Sequence, residues 1–247
     1  MLLALAASPF APRAQPPQWR FSVHPYDTPG RLFARFRPLC DYLQEPSGAP
    51  IELQIAGTYE QQIADVAQGR VHLAYMGPTP YLRARARGTG LRLLAAEAID
   101  GVAAYRAAIV VRADSPLQSL AELRGRSVAF GNPISFGSFV VPRFMLMTAG
   151  VSLADLAYFR HLQRHEQVAL AVLHRDFDAG GLRLDVVQPY LARGLRVLAR
   201  SDPLPPHVIV ATRAVPVAQD AALRAVVLRG AGARAMIGGA DIREMAT

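Results

Sequence analysis

The sequence predicts an α/β protein made of two lobes in series, and three observations carry that prediction. Short apolar runs alternate with segments whose apolar residues recur at helical spacing, the pattern of a largely parallel sheet crossed by helices. The same alternation is repeated in the second half of the chain. A late strand then follows the proline cluster at Pro203, Pro205 and Pro206, so the chain is expected to pass twice between the lobes. With 247 residues, 51% hydrophobic and 19% charged, the chain is long enough for two cores and too apolar to be disordered. The expected division is a leader at 1–16, one lobe at 17–108 plus 208–247, and a second lobe at 109–207.

In the first half, Trp19 to Val23 alternates polar and apolar residues and predicts a strand. Arg31 to Leu43 carries apolar residues on one helical face, and Pro38 predicts a kink there or a late start. Ile51 to Ile55 is a second strand. Thr58 precedes a helix over Tyr59 to Gln68, with Glu60 in its first turn and Gly69 at its stop. Val71 to Tyr75 is a third strand. Thr79 as N-cap and Pro80 at the first helical position predict the next helix, and Leu91–Ala96 and Ala107–Val111 read as strands.

In the second half, Ser119 to Leu123 is a short capped helix stopped by Gly125, and Ser127 to Phe130 a strand. Ser135 to Ser138 lead into a helix through Val140 to Thr148. Leu156–Phe159 and Phe177–Ala179 read as strands around a helix from His165 to His174. Leu195–Ala199 and His207–Thr212 are further strands, and Ala221 to Ile237 a terminal amphipathic helix.

Composition narrows the class of function. The formal net charge of +8 comes from 27 basic residues against 19 acidic ones, and all 27 are arginine. An arginine-only, alanine-rich chain with Asn132 as its one asparagine has the composition of a GC-rich genome. The arginines are spread rather than gathered on one arm, and Arg83, Arg85 and Arg87 read as a solvated helix face, which argues against nucleic acid as a partner. Cys40 has no possible internal disulfide partner and reads as a small buried hydrophobe. No Cys/His spacing calls for a metal, and no cofactor is expected. Met1 to Ala7 followed by a Pro-rich stretch resembles the apolar core of a secretory signal without its basic start, which favours export.

Several strings then carry a family resemblance. They are Tyr75 to Tyr81, Tyr105 with Ile109 to Ser115, Ser119 to Gly125, Val128 to Pro133, Val140 to Val151, His165 to Val172, and Asp178-Ala179-Gly180. In this order and spacing, from about Arg20 to Arg213, the chain resembles the phosphate/phosphite/phosphonate-binding periplasmic proteins of ABC transporters. The resemblance implies a type II periplasmic-binding-protein fold: two α/β lobes, a ligand cleft and a two-strand hinge. It also implies a small oxyanion as ligand, an inner-membrane permease as partner and a periplasmic location. A monomer is expected.

The same resemblance points to site residues. Tyr59, Tyr105 and His165 match positions that face the family's cleft, and Thr79 stands at the facing helix start. The family's anion loop reads Ser-Thr-Ser-Gly, whereas the matching positions here are Ser135, Phe136, Gly137 and Ser138. One hydroxyl is kept in register, a phenylalanine replaces a threonine, and Ser138 stands ready to compensate. Read alone, Ser135 and Ser138 are helix caps, the tyrosines core residues, and His165 a helix start. In members that take aminoalkylphosphonates two acidic groups meet the ammonium, and the nearest counterparts here are Asp185 and His207, a poor pair for an amine. The site so read uses hardly any arginine, and a titrating His165 would make binding pH-sensitive.

Three classes of function follow: a transport binding protein, a sensing module of the same fold coupled to a membrane receptor, and an enzyme on this scaffold. An enzyme would need a nucleophile–base pair or a metal cluster. The adjacent His165 and Glu166 point apart on a helix, and no GxSxG, P-loop or HExxH string occurs. The enzyme class is therefore not expected. The altered anion loop leaves a different small ligand open.

Overall fold

The computed structural model describes residues 18–88, 90–98 and 101–229. The leader at 1–16 and the distal part of the terminal helix lie outside these residues.

Among the described residues, ten strands form two five-stranded sheets with the same plan. In the first, β1 (Trp19–Val23) pairs in parallel with β2 (Ile51–Ile55) and with β3 (Leu73–Met76). There β10 (Val208–Ala211) runs antiparallel between β3 and β4 (Arg92–Ala96), giving the order β2-β1-β3-β10-β4. In the second, β6 (Ser127–Phe130) lies between β7 (Tyr158–His161) and β8 (Ala179–Arg183), all parallel. Strand β5 (Ala107–Arg112) runs antiparallel between β8 and β9 (Leu195–Arg200), giving β7-β6-β8-β5-β9. The antiparallel strand in each sheet comes from the opposite end of the plan, because the chain leaves the first sheet after β4 and returns to it only at β10.

The two crossings lie side by side. Tyr105 and Leu204 exchange backbone hydrogen bonds of 3.3 and 2.8 Å, and the Glu97 amide donates to the His207 carbonyl at 2.7 Å. This is the two-strand hinge that the resemblance implies.

The central strands β3, β6, β8 and β10 are buried along their whole length, as strands of a sheet covered on both faces must be. Their cover comes from seven helices: α1 (Pro29–Ser47), α2 (Tyr59–Ala67), α3 (Pro78–Arg87), α4 (Val141–Thr148), α5 (His165–Leu173), α6 (Leu184–Leu191) and α7 (Asp220–Arg229). The Gly180-Gly181 pair lets two of them approach β8 closely. A Cβ on Gly180 would meet Val168 of α5 at 2.6 Å, and one on Gly181 would meet Pro142 of α4 at 2.7 Å. Cys40 is buried in the first core, as expected.

Several elements depart from expectation. Helix α1 starts at Pro29 and continues past Pro38, which is exposed, so the carbonyl that the proline leaves without a donor can be hydrated. The N-cap of α3 is Gly77 and its first residue is Pro78, so Thr79 sits inside the first turn rather than capping it. Proline is tolerated throughout that turn, and Pro80 therefore did not mark the start. Strands β7 and β8 lie later than predicted, and the region from Leu184 to Leu191, for which the sequence predicts no element, forms α6. The predicted helix at Ser119–Leu123 is a single 3-10 turn over Ala121–Leu123.

Candidate functional site

In both sheets the parallel strands end at the same side, and the residues just past those ends face one another. His24 and Tyr26 follow β1, Tyr59 follows β2, and Gly77 follows β3. Ser135, Phe136 and Gly137 follow β6, His165 follows β7, and Arg183 ends β8. Tyr105 and His207 come from the hinge crossings. Together with Pro80 they line one cavity between the sheets. Open α/β sheets place ligands at the carboxyl ends of their strands, and this cavity sits there. Its free volume is about 10 Å³, room for roughly one water molecule.

The helix start at Ser135 contributes small groups and backbone. A π turn over Phe136–Val140 runs directly into α4, and the first N–H groups of such a helix have no acceptor within it. Gly137 is required by space, since a Cβ there would lie 2.9 Å from the Tyr105 ring and 3.0 Å from Arg183 Cγ. Ser138 points away from the cavity. Its hydroxyl donates to the Gly181 carbonyl at 2.5 Å and accepts the Gly131 N–H at 2.9 Å, tying the loop to β8. The compensating role expected of Ser138 is therefore not available to it.

The histidines are neutral donors and acceptors. His165 Nδ1 accepts the backbone N–H of Arg183 at 3.1 Å, so the ring proton is on Nε2, which faces Ser135 Oγ at 3.3 Å. Burial, reinforced by the Arg183 charge, lowers the His165 pKa to about 3. His24 is likewise lowered to about 3 by burial, with its Nδ1 against the Tyr75 carbonyl at 3.3 Å. His207 is lowered by burial and by Arg183, which donates from Nη1 to its Nδ1 at 3.0 Å. The pH sensitivity expected of His165 is corrected by this: its desolvated ring stays neutral across the physiological range.

Tyrosine hydroxyls supply the remaining polar lining. Those of Tyr26 and Tyr105 are buried without a partner, and burial raises both above the ordinary tyrosine range, Tyr26 to about 12. Tyr59 is buried too, its hydroxyl bonded to Ser135.

One arginine stands at the centre of the site. The Arg183 side chain is 1% exposed, and its guanidinium lies 4.7 Å over the Tyr105 ring. It donates to both Asp185 oxygens at 2.9 Å and lies 3.4 Å from Glu97 Oε2, while Arg35 donates to Glu97 Oε1 at 2.7 Å. Few of the 27 arginines are used, as expected, but the one at the centre was not among the residues singled out from the sequence. For Asp185, burial pushes the carboxyl up, and the Arg183 charge outweighs that and holds it below its usual range. Asp185 itself faces an adjoining outer pocket of about 460 Å³, which Tyr105, Arg106 and Gln188 also line.

Of the residues singled out from the sequence, Tyr59, Tyr105, Ser135, Phe136, Gly137, His165 and His207 line the inner cavity. Thr79, Ser138 and Asp185 do not. His24, Tyr26, Glu97 and Arg183 were missed, and their signal was position: each falls at or just beyond the end of a strand.

A sequence profile of the family described as "ABC transporter, phosphonate, periplasmic substrate-binding protein" matches residues 21–240. The chain belongs to this family. Within this phosphonate-transporter family it is similar to the phosphate-import protein PhnD of Mycolicibacterium smegmatis, with 30% identity over 166 residues, covering 63% of this chain and 52% of that protein. It is also similar to the phosphonates-binding periplasmic protein of Escherichia coli, with 24% identity over 219 residues, 84% of this chain and 64% of that one. The chain thus spans between half and two thirds of the length of these curated relatives. Among solved structures, PhnD1 of Prochlorococcus marinus in complex with methylphosphonate superposes with a TM-score of 0.79 at 18% identity, covering 85% of this chain and 84% of that one. The binding-protein component of an ABC phosphonate transporter from Pseudomonas aeruginosa gives 0.78 at 22% identity, covering 89% and 76%. The fold is the type II periplasmic-binding-protein fold of this family.

Proposed function

We propose that the chain is the substrate-binding component of an ABC transporter, capturing a phosphonate-, phosphite- or phosphate-like oxyanion between its lobes and delivering it to a permease. The observation that carries this reading is the pair of buried, unpartnered hydroxyls of Tyr26 and Tyr105, which face the same cavity as Ser135 and the start of the π turn. A buried donor without an acceptor costs free energy, and an oxyanion supplies several acceptors at once. Apart from the Arg183 guanidinium, whose N–H groups are taken up by Asp185, Glu97 and His207, the donors lining the cavity are neutral hydroxyls, a histidine N–H and backbone amides, a set that suits an anion bound and released rather than transformed.

The proposed lobes follow the two sheets: the first holds β1 to β4 and β10, and the second holds β5 to β9, beginning at Ala107, two residues before the boundary at 109 expected from the sequence. At about 10 Å³ the cavity as it stands is nearly filled, so a ligand enters only when the hinge at Tyr105 and Leu204 opens. Affinity then follows from how far ligand contacts favour the closed state. On this reading the chain works in the periplasm as a monomer and catalyses nothing, and its membership of a periplasmic substrate-binding family supports that location. Isothermal calorimetry and thermal shift with phosphate, phosphite and methylphosphonate test the reading. At least one of the three should bind and raise the melting temperature, and the reading fails if none does at millimolar concentration.

A further inference from the structure

We propose that Arg183 decides which oxyanions the cavity takes, holding as a resident cation both carboxylates that a ligand's ammonium group would need. The site then accepts small oxyanions without an amino group and turns away aminoalkyl zwitterions. This inference rests on the oxyanion reading above and narrows its substrate class.

The charges around the cavity are already matched. Glu97 gives Oε1 to Arg35 at 2.7 Å and has Oε2 3.4 Å from Arg183, and both Asp185 oxygens accept from Arg183 at 2.9 Å. Every carboxylate oxygen of this pair therefore has a guanidinium partner. His207, the other group near them, accepts from Arg183 and is held neutral by burial. An incoming ammonium would have to displace a side chain that is 1% exposed, or lie beside it as a like charge.

Arg183 also lacks room to swing aside. The Tyr105 ring stacks on its guanidinium at 4.7 Å, and the Gly137 backbone packs so close that a Cβ there would reach Cγ at 3.0 Å. Bidentate pairing to Asp185 fixes the plane of the fork. A cation held this rigidly behaves as part of the wall. Removing it strips Asp185 of its guanidinium, leaves Glu97 with Arg35 alone, and opens the cavity toward both acids, which is what a ligand ammonium requires.

Calorimetry with methylphosphonate and 2-aminoethylphosphonate tests this on the wild-type chain, R183A and R183K. The wild type should prefer methylphosphonate at least tenfold. In R183A that preference should shrink at least tenfold or invert, while R183K, which keeps the cation, should stay near the wild-type ratio. If R183A does not fold, R183Q carries the same comparison with a polar side chain in the core. Equal wild-type binding of the two compounds overturns the role of Arg183 and leaves the oxyanion reading standing, as does a ratio unchanged in R183A or R183Q. A wild-type chain that binds neither these compounds nor phosphate nor phosphite overturns both.

Discussion

The backbone N–H of Arg183 donates to Nδ1 of His165 at 3.1 Å, and this one bond sets the tautomer of the ring. The proton is left on Nε2, facing Ser135 Oγ at 3.3 Å, so the serine can accept from the ring and turn its own hydrogen toward a ligand. Since burial lowers His165 and His24 to about 3, no histidine charge is gained near neutrality. After correction for the ligand's own protonation, affinity should change less than about twofold between pH 6 and 8. A step of one decade centred near pH 6.5 in calorimetric titrations would sink this.

The same shifts act on stability with a definite sign. In the unfolded chain these histidines titrate near 6.5, whereas in the folded chain they stay neutral down to about 3. Between those values the unfolded state binds more protons, so stability falls as pH falls. Each histidine removes up to about 1.4 kcal/mol per pH unit in that window. Urea midpoints should decline steadily from pH 6.5 to 4 and be flat from 7 to 8. H165Q should lessen the decline; an unchanged slope would mean that the ring is not buried neutral.

Two serines of one loop should behave oppositely. Ser138 joins Gly131 to Gly181, so S138A removes two buried hydrogen bonds, leaves the Gly131 amide only its 3.3 Å bond to the Ser138 carbonyl, and should cost about 1–3 kcal/mol of stability while the folded fraction binds as before. Ser135 faces the cavity, and S135A should weaken oxyanion binding about tenfold or more, with a smaller stability loss. Paired denaturation and calorimetry separate the two, and loss of affinity in S138A without loss of stability would contradict the assignment.

That contrast also marks what the sequence could convey. Periodicity and punctuation located β1, β2, α2, β5, β6 and α5 because each is a local property of a few neighbouring residues. The family resemblance points to Tyr59, Tyr105 and His165, and all three line the cavity. Ser138 failed because its direction depends on a π turn, which slips the usual helical register. Arg183 escaped notice for a different reason. Among 27 arginines little local distinguishes it beyond the neighbouring Asp185, and its partners Glu97 and His207 come to it only when the hinge crossings pair. Helix α6 has no counterpart among the predicted elements; it carries Pro189 in its last turn.

Gly137 offers a steric test. A Cβ there would lie 2.9 Å from the Tyr105 ring and 3.0 Å from Arg183 Cγ, and the stacked pair cannot yield without parting. G137A should therefore weaken binding at least tenfold and cost about 1–3 kcal/mol, as overpacking does. G57A is the control, because a Cβ on Gly57 meets nothing within 4 Å. Equal behaviour of the two variants in binding and denaturation would show that the Gly137 contact does not limit the site.

The unpartnered hydroxyls of Tyr26 and Tyr105 give the sharpest separation of binding from stability. Without ligand, each buries a donor that has exchanged water for nothing, so Y26F and Y105F should leave stability unchanged or slightly raised. With ligand, each hydroxyl donates to a charged oxygen, a bond worth about 1.5–3 kcal/mol, so each variant should lose roughly ten- to a hundredfold in affinity. A hydroxyl that served packing alone would give the reverse pattern, with lower stability and intact affinity. Melting curves without ligand, set beside calorimetry with the best-bound of phosphate, phosphite and methylphosphonate, decide between the two. Because Tyr105 also lies against Arg183, Y105F should keep the preference for methylphosphonate over 2-aminoethylphosphonate even as affinity falls, since the ring that stacks on the guanidinium is retained.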